Sequence, residues 1–297
     1  MLVIDCSKIS ADICSTKLRN PNTMKYFITV IVLLYSWALR AQEQFVIQSK
    51  YLQKRDTVLV FKPKTYNKDT KYPLVYLLHG YSENYRQWSH TADLQQMADQ
   101  YGFIVVTPDG YTSFYLNSPL ENEMQYDDFF FKELRPTVHQ AYNIDRNNVF
   151  ISGLSMGGYG ALRLFILHED YFNTAGCSSG ALKIDYNIFQ KVSQHFWKNN
   201  RLVDDTKTLL GGTENNYINW NAYSILEIIN KRVNFKRNFI FDCGTEDILY
   251  PASMELKQLV DNIGIPATFI SRPGDHNTAY WKSAIAYHFI YFKQHIK

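Results

Sequence analysis

Residues 45–62 alternate apolar and polar positions around a polar break at Gln53–Asp56. A period of two predicts an antiparallel hairpin at the edge of a sheet. Beyond it come short apolar runs, Leu74–Leu78, Phe103–Thr107, Val149–Ser152, Asn238–Phe241 and Thr268–Ile270, each closed by Gly, Pro, Asp or Ser. Longer segments with helical spacing lie between them: Ala92–Tyr101, Tyr126–Tyr142, Ser155–His168, Ala252–Ile263 and Thr278–Gln294. Strands apolar on both faces and alternating with helices predict an α/β fold, a mostly parallel central sheet with helices on both faces and an antiparallel N-terminal hairpin. In such sheets ligands gather at the carboxyl ends of the strands. The residues that follow each apolar run are therefore the ones to inspect for chemistry.

One segment breaks the rhythm. Residues 181–236, rich in Tyr, Phe, Trp and Asn and containing the turn-like LLGGTENN, separate two strands and read as an insertion packed over the strand ends. No repeat or Pro/Gly/Ser-rich linker divides 42–297, so a single domain is expected there.

The front of the chain follows different rules. Lys25 precedes a 14-residue uncharged apolar run, Tyr26–Leu39, followed by small residues. That is the build of a secretory signal peptide, spanning about residues 24–41, with cleavage after Ala38 or Ala41. The run is shorter than the roughly 20 residues of a spanning helix, so no stable membrane anchor is expected. Met24 stands directly before Lys25, and residues 1–23 read as an upstream extension. The expected location is secreted or periplasmic.

Removing that segment changes the charge balance. Of 31 Lys/Arg and 28 Asp/Glu, five and two respectively lie in residues 1–41, leaving 26 of each. A formally neutral domain gives a nucleic-acid or anionic-membrane partner no support. Two of the four cysteines leave as well; Cys177 and Cys243 remain, either as buried free thiols or as one bridge.

The chemistry centres on Gly153-Leu154-Ser155-Met156-Gly157, a G-x-S-x-G pattern between the strand run Val149–Ile151 and a helix. A sharp strand-to-helix turn holds such a serine at unfavourable backbone angles, and glycines keep side chains out of the crowded turn. A serine hydroxyl also needs a base, and the base an acid to fix its tautomer. All eight histidines lie beyond residue 41. His139, His168 and His288 fall within helical patterns and His295 is nearly terminal, whereas His276 sits in the loop after the last strand run. The acid expected is Asp247, in the loop after Asn238–Phe241, with Glu246 next to it and Asp242 still in the strand. The order Ser155, Asp247, His276 is that of the α/β-hydrolases. Backbone N–H groups of Met156 and of Tyr81, after Leu78-His79-Gly80, are the expected oxyanion donors. His79 reads as a brace for that loop rather than as the base.

Leu77-Leu78-His79-Gly80, Trp88, Pro108-Asp109-Gly110, Gly153–Gly158, Cys243–Asp247 and Gly274-Asp275-His276 with Tyr280-Trp281 resemble the esterase D family of α/β-hydrolases. That family includes feruloyl and acetylxylan esterases, S-formylglutathione hydrolases and tributyrin-type esterases. The resemblance covers nearly all of 42–297 and implies nucleophile, acid and base at Ser155, Asp247 and His276. The leader departs from the branch with a cytosolic glutathione thioester substrate. Tyr111, Phe114, Tyr115, Tyr126, Phe196, Trp197, Tyr217, Trp220 and Tyr223 are candidates for an aryl or sugar site, and Trp88, Tyr115 and Trp220 are expected to bind substrate. No H-E-x-x-H, C-x-x-C or phosphate-binding glycine motif is present, so neither metal nor cofactor is expected. The expected function is a secreted serine carboxylesterase acting on acyl esters, carbohydrate-linked and of acetyl or feruloyl type, with a small-molecule or polysaccharide substrate. The alternatives are an acyltransferase with the same triad and a non-catalytic binding protein on this scaffold.

Overall fold

The computed structural model describes residues 42–212, 218–232 and 234–297. The expected leader and upstream extension, and Tyr217, lie outside the described residues. The strands are β1 (Gln42–Gln48), β2 (Arg55–Phe61), β3 (Tyr72–Leu78), β4 (Ile104–Pro108), β5 (Ile144–Gly153), β6 (Thr174–Ser178), β7 (Phe239–Gly244) and β8 (Ala267–Arg272). Among the described residues they form one sheet in the order β1-β2-β4-β3-β5-β6-β7-β8. β1 pairs antiparallel with β2, and β2 with β4; every other pairing is parallel. The hairpin expected from residues 45–62 is thus the sheet's antiparallel edge. Alternate residues of β1 are exposed, whereas β4, β6 and β7 are buried throughout, as strands covered on both faces must be.

The helices are α1 (Gln87–Thr91), α2 (Leu94–Tyr101), α3 (Tyr126–Phe129), α4 (Arg135–Ala141), α5 (Met156–Leu167), α6 (Tyr186–Trp197), α7 (Arg201–Leu210), α8 (Ile225–Lys231), α9 (Tyr250–Ile263) and α10 (Thr278–Gln294). The segment expected as one helix over Tyr126–Tyr142 is interrupted by a π-helical turn at Phe130–Leu134. Pro136, which has no N–H to donate, sits in the first turn of α4. On one face Trp88, Leu94, Phe289 and Phe292 pack with Val75, Leu77 and Phe150. On the other, Phe129, Phe130, Leu162 and Phe165 pack with Tyr76, Ile151 and Ala175.

β6 is absent from the apolar runs, and its composition explains why. Thr174-Ala175-Gly176-Cys177-Ser178 has no large side chain, because helices approach it closely: a Cβ on Gly176 would lie 2.4 Å from the His288 ring. The segment 181–236 supplies α6, α7, a 3₁₀ turn at Ile218–Tyr223 and α8.

Candidate active site

β5 ends at Gly153, and α5 starts at Met156, leaving two residues to reverse the chain. Ser155 has φ 53° and ψ −118°, a left-handed conformation that costs a non-glycine residue roughly 1–3 kcal/mol. The turn closes tightly: a Cβ on Gly153 would lie 2.1 Å from the Gly157 carbonyl oxygen, and one on Gly157 would lie 2.1 Å from that of Leu78. Both pattern glycines are therefore required by contact. Ser155 N–H donates to the Ser178 carbonyl at 2.9 Å, and Ala181 N–H donates to the Ser155 carbonyl at 3.1 Å.

The structure brings His276 and Asp247 to this turn. His276 Nε2 is 2.9 Å from Ser155 Oγ, and Nδ1 is 2.8 Å from Asp247 Oδ2. With Nδ1–H donating to the carboxylate, Nε2 is free to accept the serine proton. Asp247 is 3% exposed, and its Oδ1 accepts from Leu249 N–H at 2.8 Å. Burial pushes its carboxyl up, but the hydrogen bonds from His276 and from the Leu249 amide outweigh it and hold Asp247 below the usual aspartate range. The loops that carry acid and base touch directly, since a Cβ on Gly244 would meet the Gly274 carbonyl oxygen at 2.1 Å. Asn277 then caps α10 by accepting from Tyr280 N–H. Glu246 is exposed and takes no part, and Asp242 faces His288 instead.

The loop after β3 lies against the serine: a Cβ on Gly80 would sit 3.5 Å from Ser155 Cβ. Met156 N–H occupies the first helical position, where no intrahelical acceptor exists. His79 braces the loop as expected. Its Nε2 accepts from Gly110 N–H at 2.6 Å, which leaves Nδ1–H to donate to the Gly80 carbonyl at 2.8 Å. Gln87 does comparable work that no pattern announces, its Oε1 accepting from Gly80 N–H at 2.7 Å.

Gly80, Tyr81, Ser155, Met156 and His276 open onto a cavity of about 340 Å³. Its apolar wall comes largely from the insertion, through Phe189, Val192, Phe196 and Trp197 of α6 and Leu202 of α7. Phe196 lies 5.3 Å, ring to ring, from the imidazole of His276. Among the aromatic candidates, Phe114, Phe196 and Trp197 line the cavity. The expectation for Trp88, Tyr115 and Trp220 is corrected, because none of the three reaches it. Trp88 is buried and its indole N–H donates to the Leu78 carbonyl; Tyr115 is buried and donates to the His79 carbonyl; Trp220 is buried and donates to the Gly211 carbonyl. Large rings with one donor fill core space and satisfy a backbone acceptor there. Cys177 and Cys243 are buried free thiols. Among the described residues no His/Cys/Asp/Glu group is placed to hold a metal ion, and no helix is long and apolar enough to cross a membrane.

Sheet order, serine turn and strand-end cavity define an α/β-hydrolase. The family model described as "Putative esterase" matches residues 49–292. The chain belongs to this Esterase family and is a serine esterase acting on acyl esters. It is 29% identical over 262 residues to an acetyl esterase of Caldicellulosiruptor saccharolyticus, covering 82% of this chain and 94% of that one. It is 23% identical to an S-formylglutathione hydrolase of Arabidopsis thaliana, covering 74% and 81%. Among solved structures, a ferulic acid esterase superposes with a TM-score of 0.71 at 25% identity, over 86% of this chain and 98% of that one. The substrate-bound fluorophosphonate-binding serine hydrolase FphF of Staphylococcus aureus superposes at 0.73 with 24% identity, over 85% and 98%.

Proposed function

We propose that the protein is a secreted serine carboxylesterase that cleaves carbohydrate-linked acyl esters, of acetyl or feruloyl type, through a Ser155–His276–Asp247 triad. The observation that carries this reading is the unbroken hydrogen-bonded chain from Asp247 through His276 to Ser155 Oγ, opening into the cavity. His276 Nε2 takes the serine proton as Oγ attacks the ester carbonyl, and Asp247 steadies the imidazolium. The developing oxyanion is met by the Met156 and Tyr81 amides. His276 returns the proton to the leaving alcohol, then activates water to release the acid. The apolar wall suits the acyl group, while Glu83, Gln87, Asn277 and Thr278 on the same cavity offer hydrogen bonds to a hydroxyl-rich alcohol. The names of the acetyl esterase and ferulic acid esterase relatives favour the same substrate class. The apolar run Tyr26–Leu39 motivates secretion.

The test is hydrolysis of p-nitrophenyl acetate, butyrate and octanoate, methyl ferulate and acetylated xylan by residues 42–297, beside Ser155→Ala. Loss of turnover on the order of 10⁶-fold is expected in the variant. Equal residual rates would remove the nucleophile from Ser155, and preference for p-nitrophenyl octanoate over both xylan and ferulate would overturn the substrate class. Expression of the full chain with N-terminal sequencing of exported protein checks the leader.

A further inference from the structure

A second Ser-His-Asp set lies beneath the first. Ser152 Oγ is 2.7 Å from His288 Nδ1, His288 Nε2 is 2.6 Å from Asp242 Oδ2, and Ser178 Oγ donates to Asp242 Oδ1 at 2.8 Å. Ser152, His288 and Ser178 are 0% exposed and Asp242 2%. No substrate can reach them, and the imidazole is turned the other way: Nε2 faces the acid and Nδ1 the serine. This is not a second reaction site. Its hydrogens run one way, from Ser152 O–H to Nδ1 and from Nε2–H and Ser178 O–H to the carboxylate, so each heteroatom named has a partner.

The path closes on Ser155. Ser178 sends its hydroxyl to Asp242 and offers its carbonyl to Ser155 N–H at 2.9 Å, while Ser152 lies three residues before Ser155 on β5. Ser155, Ser178, Asp242, His288 and Ser152 thus form a ring whose last link is the chain itself. The ring also joins β5, β7 and α10, the elements that precede Ser155, precede Asp247 and follow His276. It sits in an otherwise apolar layer of Phe150, Ile240, Phe289 and Phe292. Apolar packing there would hold the helix on the sheet without fixing its register; directional hydrogen bonds fix it. Gly176 leaves room for the ring, its Cβ position being 2.4 Å from His288 Nδ1.

We propose that Ser152, His288 and Asp242 are positioning residues that hold Ser155 in its left-handed conformation and in register with His276. The proposal rests on Ser155 being the nucleophile. The experiment compares Ser152→Ala and His288→Gln with Phe292→Leu, a packing change one turn along α10 in the same layer. Four quantities are measured on the full-length protein: Tm, kcat and KM for p-nitrophenyl acetate, and the rate of Ser155 labelling by a fluorophosphonate. A displaced nucleophile should lower kcat and labelling about tenfold in both ring variants, with KM within about twofold of wild type. Phe292→Leu should keep both rates despite a lower Tm. The proposal is overturned if the ring variants keep wild-type rates, or if rates fall in step with Tm in all three variants. If His288→Gln does not fold, Ser152→Ala decides alone. A wild type that neither turns over nor labels overturns the nucleophile reading itself, and is told apart because the loss then precedes any substitution.

Discussion

The hydroxyl of Tyr81 donates to the carboxylate of Asp205, 124 residues further along the chain. The loop after β3 is thereby latched to α7 of the insertion, and the Arg201 guanidinium lies over both the Tyr81 and Trp197 rings, 5.4 and 5.5 Å from their centroids. Burial, and then the Asp205 bond, push the Tyr81 phenol well above its usual range, so the latch is an O–H to carboxylate bond across the working pH range.

Because Tyr81 and the insertion wall the same cavity, unlatching should loosen substrate binding more than chemistry. Tyr81→Phe keeps the backbone amide and Asp205→Ala keeps the tyrosine; each is expected to raise KM about three- to tenfold with a smaller change in kcat. The double variant should be no worse than either single one, since both remove one bond. Additive losses in steady-state kinetics would show that the two residues act separately.

Asp247→Asn retains the shape of the acid but turns its hydrogen-bonding pattern against the histidine tautomer that the proposed triad requires. A fall in kcat of about 10⁴-fold is expected with little change in Tm. A loss under about tenfold would mean that another group orients His276.

Gly157→Ala drives a methyl to 2.1 Å from the Leu78 carbonyl, between the start of α5 and the end of β3. Destabilisation of roughly 1–3 kcal/mol is expected together with loss of turnover. Gly158→Ala meets Cys177 Sγ at 3.0 Å and the Ser178 and Gly153 carbonyl oxygens at 3.1 and 3.2 Å, a looser fit than at Gly157, and should retain more of both. Thermal melts and p-nitrophenyl acetate assays of the pair decide it.

Asp56 is fully buried with neither oxygen in hydrogen-bonding geometry with a donor. Burial first, and the nearby Asp109 second, push its carboxyl well above the usual range. The unfolded chain releases this proton near about pH 3.9 while the folded chain keeps it. Its contribution to stability is therefore complete below that pH and is lost as pH rises towards the folded value. Asp56→Asn should match wild type in Tm near pH 4 and exceed it increasingly towards pH 7; a constant offset across that range would contradict the ionisation argument.

The serine turn was legible because its demands are local: a reversal in two residues needs glycine on both sides, and that need is written as spacing. His276 and Asp247 were legible because a parallel sheet presents its chemistry where strands end. Gln87 was not, since a glutamine seven residues past Gly80 belongs to no period and acts only through the fold. Trp88, Tyr115 and Trp220 misled for a related reason. Aromatics make up 15% of the chain, and composition does not say which face a ring turns to. Cys177 and Cys243 stayed open between thiols and a bridge because pairing depends on geometry that spacing does not carry. β6 showed only as the strand before residue 181 and not among the apolar runs, because its small residues answer to the helix above them, not to a hydrophobic period.

The insertion leaves the sheet after β6 and rejoins it at β7, so its share of the cavity wall, from Ala181 to Leu202, is one uninterrupted stretch of chain. Closing a longer excursion costs little, about 0.6 kcal/mol for each doubling of its length. Exchanging α6 and α7 as a cassette can therefore redirect substrate range while the strands that precede Ser155, Asp247 and His276 keep their registry.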